Sequence, residues 1–455
     1  MRGWNSVLAL IELSLNIEFT NWIFADIHFI KNLWSRRRRN GWLLAELILV
    51  AILSWAIFDP VLVVTYERHL PLGYDADRLC MVSVGMLPPE APGYEPQAAD
   101  SASLMQAYLN LVDCARQYPG VEQAAPVLSF VYPGAMGSGT SDFVAEGDSI
   151  VHSALYIEFL PHTHFFETYG FQSGEGSMDA AQLSDLDNGY YYIMTEDLLE
   201  EMFHTHTYRN QRCCEVNGTD TFYTAVKGTV KACKYLSDWR PVPIVFMPQQ
   251  HPDIRSSLDN LRMVIRLKEG VSMERFLHDF HPWMLRQLRA GNLYARELQS
   301  YDEINAAREF SDSTALYLRN LSIALFFLIN LCLGVIGTFW MQTRTRREEV
   351  GVMLSYGATP RRIRLMLLGE GTVLTTLATF IGCFIYLQYA FSEGLNKGNS
   401  WMPAVIPSWV DDFGLHFFLI SLVVYVVLLL VVWAGIYIPA RRISAISPTE
   451  ALRDE

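Results

Sequence analysis

The chain has 455 residues, 51% of them hydrophobic and 18% charged, with a mean hydropathy of +0.15. Soluble chains carry about 25% charge, and here the apolar residues are bunched, which argues for membrane spans and against a purely soluble enzyme. The net charge of −13 speaks against nucleic acid as a partner, because phosphate binding needs a basic face, and 13% aromatic residues speaks against disorder.

Residues 1–40 open with an apolar, aromatic text (Trp4, Phe19, Trp22, Phe24, Phe29) interrupted by Glu12, Glu18 and Asp26, and close on Arg36–Arg39. A secretory leader has the reverse order, basic first and apolar second. The segment reads as an amphipathic stretch on the cytoplasmic side of a membrane, with packing against the spans an equal alternative. Residues 41–64 read as the first transmembrane helix, carrying Glu46 near one end and Asp59-Pro60 near the other. Proline removes a helical hydrogen bond, so a break or kink is expected at the outer turn. Asp59, like Glu370 before the third span, reads as an acid reaching water at the membrane boundary.

Residues 65–320 form the longest stretch without a span. Leu79–Val84 and Met263–Leu267 read as strands from alternation and β-branched content. Ser103–Gln117, Thr195–Phe203 and Ser272–Leu288 read as amphipathic helices. The mixture predicts an α+β domain. Long loops are expected over 133–150 and 172–189, and 292–320 reads as a helical stalk entering the second span. Three further stretches are long enough to span at roughly 20 residues each: residues 321–341, 371–391 and 415–438, separated by 342–370 and 392–414 and followed by a tail over 439–455. Residues 1–40 and 342–365 each carry six Lys or Arg, against three and two acids respectively. Basic residues mark the cytoplasmic side, so both termini and the 342–370 segment are expected inside, and 65–320 outside. The fold class is therefore integral membrane α-helical, with four transmembrane helices and a large α+β extracytoplasmic domain between helices 1 and 2. The lipid bilayer is its first partner.

Seven cysteines are present, and five of them (Cys80, Cys114, Cys213, Cys214, Cys233) fall in the outer region. A disulfide between Cys213 or Cys214 and Cys233 closes the shortest plausible loop, although spacing does not determine pairing. Five of the eleven histidines lie between 152 and 206, including His162-x-His164 and His204-x-His206. No cysteine or acid completes a metal-ligand spacing around them, so surface or core histidines are the favoured reading and no metal is expected. There is no Gly-Lys dipeptide, hence no phosphate-cradling loop with its lysine. No nucleophile elbow or His-Glu-x-x-His helix occurs either, and no catalytic residues are assigned.

The most informative text is the segment from Gln342 to Gly371. Within it, a short helix over about 347–356 presents Val350, Met353 and Leu354 at helical spacing. Gly357 suits a C′ position at positive φ, Thr359 an N-cap, and Pro360 the first position of the next helix. A helix tied to a span at each end can pass displacement from a cytoplasmic partner into the membrane; a plain basic loop is the competing reading.

At this segment the chain resembles the permease subunits of the MacB/FtsX-like (type VII) ABC transporter family. The matching text is Arg346-Arg-Glu-Glu-Val-Gly351, Leu354-Ser-Tyr-Gly-Ala-Thr359, Arg361-Arg-Ile363 and Leu368-Gly-Glu-Gly371. The ending Pro439-Ala-Arg-Arg442 with Ser447-Pro-Thr-Glu450 is similar too, as is the order of one span, a large outer domain and three spans. The resemblance implies a permease, not an enzyme, that has no cofactor of its own and works with a separate cytoplasmic ABC ATPase holding ATP and Mg. It implies an ATPase-coupling helix made of Arg346, Arg347, Glu348, Glu349, Val350, Gly351, Gly357 and Pro360. It further implies a second permease chain, identical or paralogous, and a place in a bacterial inner membrane. The work implied is mechanotransmission to periplasmic substrates, export or efflux, with a periplasmic adaptor and an outer-membrane channel as further partners. A lipoprotein-releasing permease, or a signalling subunit controlling a cell-wall hydrolase or sensor kinase, remains the alternative.

Overall fold

The computed structural model describes residues 37–135, 137–186, 189–216, 222–250, 252–309, 315–344, 347–402 and 406–444. The amphipathic reading of residues 1–36 and the tail beyond 444 lie outside the described residues. Two compact units emerge. A helical unit takes the chain up to Val63, then Leu318–Lys397 and the chain from Ser408; an α+β unit takes Val64–Tyr317 and Gly398–Pro407.

Helix α1, Arg37–His69, runs through Pro60 without interruption. This corrects the expected break. Proline deletes one backbone bond, and the neighbouring Asp59 is held from two sides, by the backbone N–H of Asn396 at 3.2 Å and by His416 Nε2 at 2.8 Å. Asp59 is also not a water-seeking boundary acid. It is 3% exposed, and its partner His416 is fully buried.

The α+β unit is built on β1 (Leu79–Met86), α2 (Ser101–Arg116), β2 (Val121–Val127), β3 (Thr140–Ala145), β4 (Val151–Phe159), α3 (Phe165–Tyr169), α4 (Ala180–Ser184), β5 (Tyr191–Thr195), α5 (Glu196–Phe203), β6 (Arg212–Glu215), β7 (Thr224–Val230), β8 (Ile244–Pro248), β9 (Arg262–Leu267), α6 (Met273–Gln287), β10 (Arg289–Ala290), β11 (Leu293–Ser300) and α7 (Tyr301–Glu309). Five strands make a sheet in the order β10-β11-β1-β9-β2, and β1 pairs antiparallel with both β9 and β11. Side chains alternate across a strand, and both faces of β1 are covered. Cys80, Val82 and Val84 pack with Tyr108 and Leu111 of α2 and Phe276 and Phe280 of α6. Leu79 and Met81 face a second core that holds Phe165, Phe166, Tyr169 and Phe246. Asp100 starts α2 by accepting the N–H groups of Ala102 and Ser103, each at 3.1 Å, the standard means of satisfying orphan donors at a helix start.

The other six strands close a barrel in the order β3-β4-β8-β5-β7-β6. On β5 the alternation sends Ile193 into the aromatic core and Met194 into a smaller cluster with Phe143, Leu198 and Val245. Two expectations are corrected here. The supposed loop 133–150 contains β3, which pairs with β4 and β6. The supposed stalk contains β11, whose Leu293-Tyr-Ala-Arg-Glu-Leu-Gln-Ser300 reads as helix only when its ladder with β1 is ignored; helix starts at Tyr301. The expected disulfide is also corrected. All seven cysteines are free thiols, and Cys213 and Cys233 sit in different cores. Burial, with Cys214 alongside, pushes the Cys213 thiol up to about 12, and burial raises Cys80 and Cys233 further, so these are packing residues.

The helical unit adds α8 (Ala315–Arg344), α9 (Arg347–Ser355), α10 (Pro360–Glu393) and α11 (Phe413–Ser444). Among the described residues, four helices (α1, α8, α10 and α11) are long and apolar enough to cross a membrane. The core of the unit follows helical spacing. Ile420, Val424, Leu428, Val432, Ile436 and Ala440 form one buried line along α11, one residue every fourth position. It packs with Leu374, Ala378 and Tyr386 of α10 and with Leu47, Val50 and Trp55 of α1. Trp55 is fully buried, donates from Nε1 to Ser421 Oγ at 3.0 Å and stacks on Tyr386 at 4.2 Å. Glycines set the closest approaches. A Cβ on Gly382 would lie 2.7 Å from the Ala51 side chain of α1, and one on Gly371 would overlap Ile436 of α11. Small residues at such crossings let backbones approach without a hydrophobic driving force from water.

Candidate functional site

The short helix α9 and the turn after it are shaped by their own sequence. At the end of α9 the N–H of Gly357 bonds the carbonyl of Leu354 at 3.0 Å, and the N–H of Ala358 bonds that of Met353 at 3.0 Å. This pair of bonds closes a Schellman turn. It needs a left-handed residue at its centre, and Gly357 supplies one at φ +87° with nothing within 4 Å of a notional Cβ. Two residues on, Thr359 caps α10 by accepting the N–H of Arg362 at 3.4 Å, and Pro360 takes the first helical position. Proline fits there because that N–H has no helical partner anyway.

Packing then divides α9 into two faces. Val350 is 2% exposed and joins the core of the helical unit with Ile363 and Leu367 of α10 and Ile436, Ala440 and Ile443 of α11. Met353, Leu354 and Ala358 are partly buried against the same core. Gly351 is buried as well. The opposite face is open. Val352 is 44% exposed and Tyr356 88%, and Gly357, Thr359, Pro360, Arg361 and Arg362 are all exposed. Further along α10, Leu365 is 59% exposed. The result is an anchored helix and a rigid turn presenting an aromatic ring and two guanidinium groups. Arg442, in the last turn of α11, lies 5.4 Å from the centre of the Trp340 ring of α8.

The residues expected to make up the coupling helix are placed as follows. Val350 and Gly351 are on the inner face, and Glu349, Gly357 and Pro360 are exposed. Glu349 nonetheless makes a polar contact. Arg347 and Glu348 stand in the first turn of α9, and Arg346 lies outside the described residues. Sequence reasoning missed Tyr356, Val352 and Leu365 as surface residues. A signal was present for Tyr356. It stands at the C-cap of a helix whose inward positions are Val350, Met353 and Leu354, so the helical period already turns it away from the core.

The histidines form no centre. His162 and His164 both adopt left-handed backbone, at φ 61° and 60°, and each reaches its own carboxylate, Asp185 at 2.6 Å and Glu167 at 2.7 Å. His204 caps the end of α5 at φ 53°. Among the described residues no three His, Cys, Asp or Glu side chains converge as a metal-binding group.

Comparison with known proteins places this geometry. Residues 321–448, which include α9 and its turn, match the family model for the FtsX-like permease C-terminal domain. That is the family the motifs of the 342–371 segment resemble. No curated protein matches the chain. Among solved structures, the chain is similar to the periplasmic region of MacB from Actinobacillus actinomycetemcomitans, at 7% identity, 53% of this chain, 96% of that one and a TM-score of 0.31. It is also similar to the extracellular domain of the noncanonic ABC-type transporter YknZ from Gram-positive bacteria, at 11% identity, 48% of this chain, all of that one (100%) and a TM-score of 0.24. With its four apolar helices and this permease domain, the chain is a multi-pass membrane protein.

Proposed function

We propose that the chain is the permease subunit of an ABC transporter that couples ATP hydrolysis on a separate cytoplasmic ATPase to conformational work on periplasmic substrates, in export or efflux. The observation that carries this reading is α9. It is short, capped at its end by a rigid turn, anchored by Val350 in the core of the helical unit, and open on its other face. It lies inside the FtsX-like permease domain, whose family belongs to ABC transporters and so calls for an ATPase. An ATPase pressing on Tyr356, Arg361 and Arg362 would move α9, and through Val350 the buried lines of α10 and α11. The ATP and Mg belong to that partner. In this reading the protein sits in a bacterial inner membrane with both termini and α9 in the cytoplasm and the α+β unit in the periplasm. A second permease chain completes the pair, and a periplasmic adaptor and outer-membrane channel extend the path.

Three measurements test it. Purification of the full chain from its native membrane in mild detergent should bring down an ABC ATPase, and Glu349→Arg or Gly351→Leu should lower ATPase stimulation in the assembled complex. A well-folded preparation that recovers no ATPase would sink the reading. Thiol labelling of intact cells tests orientation. A cysteine at the exposed Asp148 should react with an impermeant reagent and one at the exposed Tyr356 should not; the reverse pattern overturns the topology.

A further inference from the structure

The connector between α10 and α11 does not cluster with the helices it joins. Gly398–Pro407 belongs to the α+β unit, and its first residues are built into a buried charged site. Glu67, near the end of α1, is fully buried. One of its carboxylate oxygens accepts the backbone N–H of Asn399 at 3.1 Å, and the other faces Arg240 Nε at 3.2 Å. Lys234, also fully buried, donates from Nζ to the carbonyl of Glu67 at 2.6 Å and to that of Ser237 at 3.1 Å. Asp238, 5% exposed, accepts from Asn399 Nδ2 at 2.9 Å. Two carboxylates and two cations therefore share one buried site. Buried charges persist only when paired and hydrogen-bonded, and Asn399 supplies a bond to each carboxylate.

The backbone of the connector is specified just as tightly. Gly398 stands at φ +90°, and a Cβ there would overlap the Glu67 carboxylate. Beyond it, Trp401 meets the Trp239 ring edge-on at 6.3 Å, and Met402, 2% exposed, lies in the same core as Tyr235 and Trp239. Loops run over surfaces and vary in conformation; this one is anchored by a glycine that only glycine can replace, an asparagine that bonds two acids, and a buried methionine.

We propose that Gly398–Met402 is a latch that fixes the connector between α10 and α11 to the α+β unit. Resting on the transmission reading above, the latch gives movement of α10 and α11 a route into the α+β unit separate from the chain's passage through α7 and α8. Glu67 is its keeper and Gly398 and Asn399 its tongue. The route is used in each cycle of work.

Hydrogen exchange on the full chain in lipid nanodiscs tests the latch itself. Amides of 398–402 should exchange slowly in the native protein. Gly398→Ala should speed them by about tenfold or more, the size expected when a local opening replaces a fixed structure. Asn399→Ala, which imposes no backbone clash, should act in the same direction with smaller effect. Peptides from β1 and β9 should be unchanged in both, which separates latch release from unfolding. Exchange at 398–402 as fast as in the exposed 146–150 turn, or indifferent to both substitutions, overturns the latch. The transmission role is read in the complex with the copurified ATPase, with and without ATP. The native protein should show ATP-dependent exchange changes in α9 and in the α+β unit, and the latch variants should keep the first and lose the second. Variants that keep both changes overturn the role. A native complex with no ATP-dependent change at α9 overturns the ATPase-driven reading instead, leaving the latch to stand on its own exchange result.

Discussion

Val350 and Tyr356 lie on the same short helix and its cap, yet they should fail in opposite ways. Val350 is 2% exposed among Ile363, Leu367 and Ile436. Val350→Ala removes two buried methyl groups and leaves a small cavity, which costs about 2 kcal/mol of stability. Tyr356 is 88% exposed and touches no core. Tyr356→Ala should change stability by no more than about 0.5 kcal/mol. If the open face is where an ATPase docks, a tyrosine at its centre is the residue type that dominates such contacts, worth about 2 kcal/mol, or roughly 30-fold in Kd. The assay pairs thermal unfolding of the full chain in nanodiscs with titration of the copurified ATPase. The expected pattern is a lower midpoint with near-native binding for Val350→Ala, once folded, and a native midpoint with weakened binding for Tyr356→Ala. Native binding by Tyr356→Ala would refute the docking face, and a native midpoint for Val350→Ala would refute the packing argument.

Other outcomes follow from the same reasoning. Asp59→Ala leaves His416 buried without its carboxylate and should destabilise the helical unit by about 3–5 kcal/mol, read as a lowered unfolding midpoint in detergent; the double change with His416→Leu should recover part of the loss. Gly382→Val forces side-chain atoms against Ala51 and the carbonyl of Ile48, 2.7 and 3.2 Å from the Cβ position, and overpacking of this kind costs about 1–3 kcal/mol; an unchanged midpoint would show that α1 and α10 do not touch there. Asp197 at the start of α5 has its carboxyl pushed up to about 6, chiefly by burial. Its folded value lies above the unfolded one, so it has no effect below about pH 4, where both states hold the proton, and stability falls as pH rises towards 6. The full penalty, about 3 kcal/mol, persists above that. Asp197→Asn should therefore flatten the fall in unfolding midpoint between pH 4 and 7, and an identical pH profile would refute the burial argument.

What could be read from the sequence and what could not divides along a physical line. The text over 350–360 determined its own structure. A Schellman glycine, a capping threonine and a proline at the first helical position act through bonds within a few residues, and the period of Val350, Met353 and Leu354 marks the inward face. The four apolar helices were legible for the same reason, since length and hydropathy are local sums. Where the decisive partner is distant in sequence, the reading failed. Leu293–Ser300 looks helical until β1, some two hundred residues earlier, offers it a ladder. Asp59 looks like a boundary acid until His416 closes on it, 357 positions along the chain. Pro60 looks like a helix break, yet α1 runs on through it to His69. The buried site of Glu67, Lys234, Asp238, Arg240 and Asn399 has no sequence signature at all, because five ordinary polar residues from three separate segments acquire their meaning only when the tertiary structure excludes water from around them and brings together charges, carbonyls and amides that are distant in sequence.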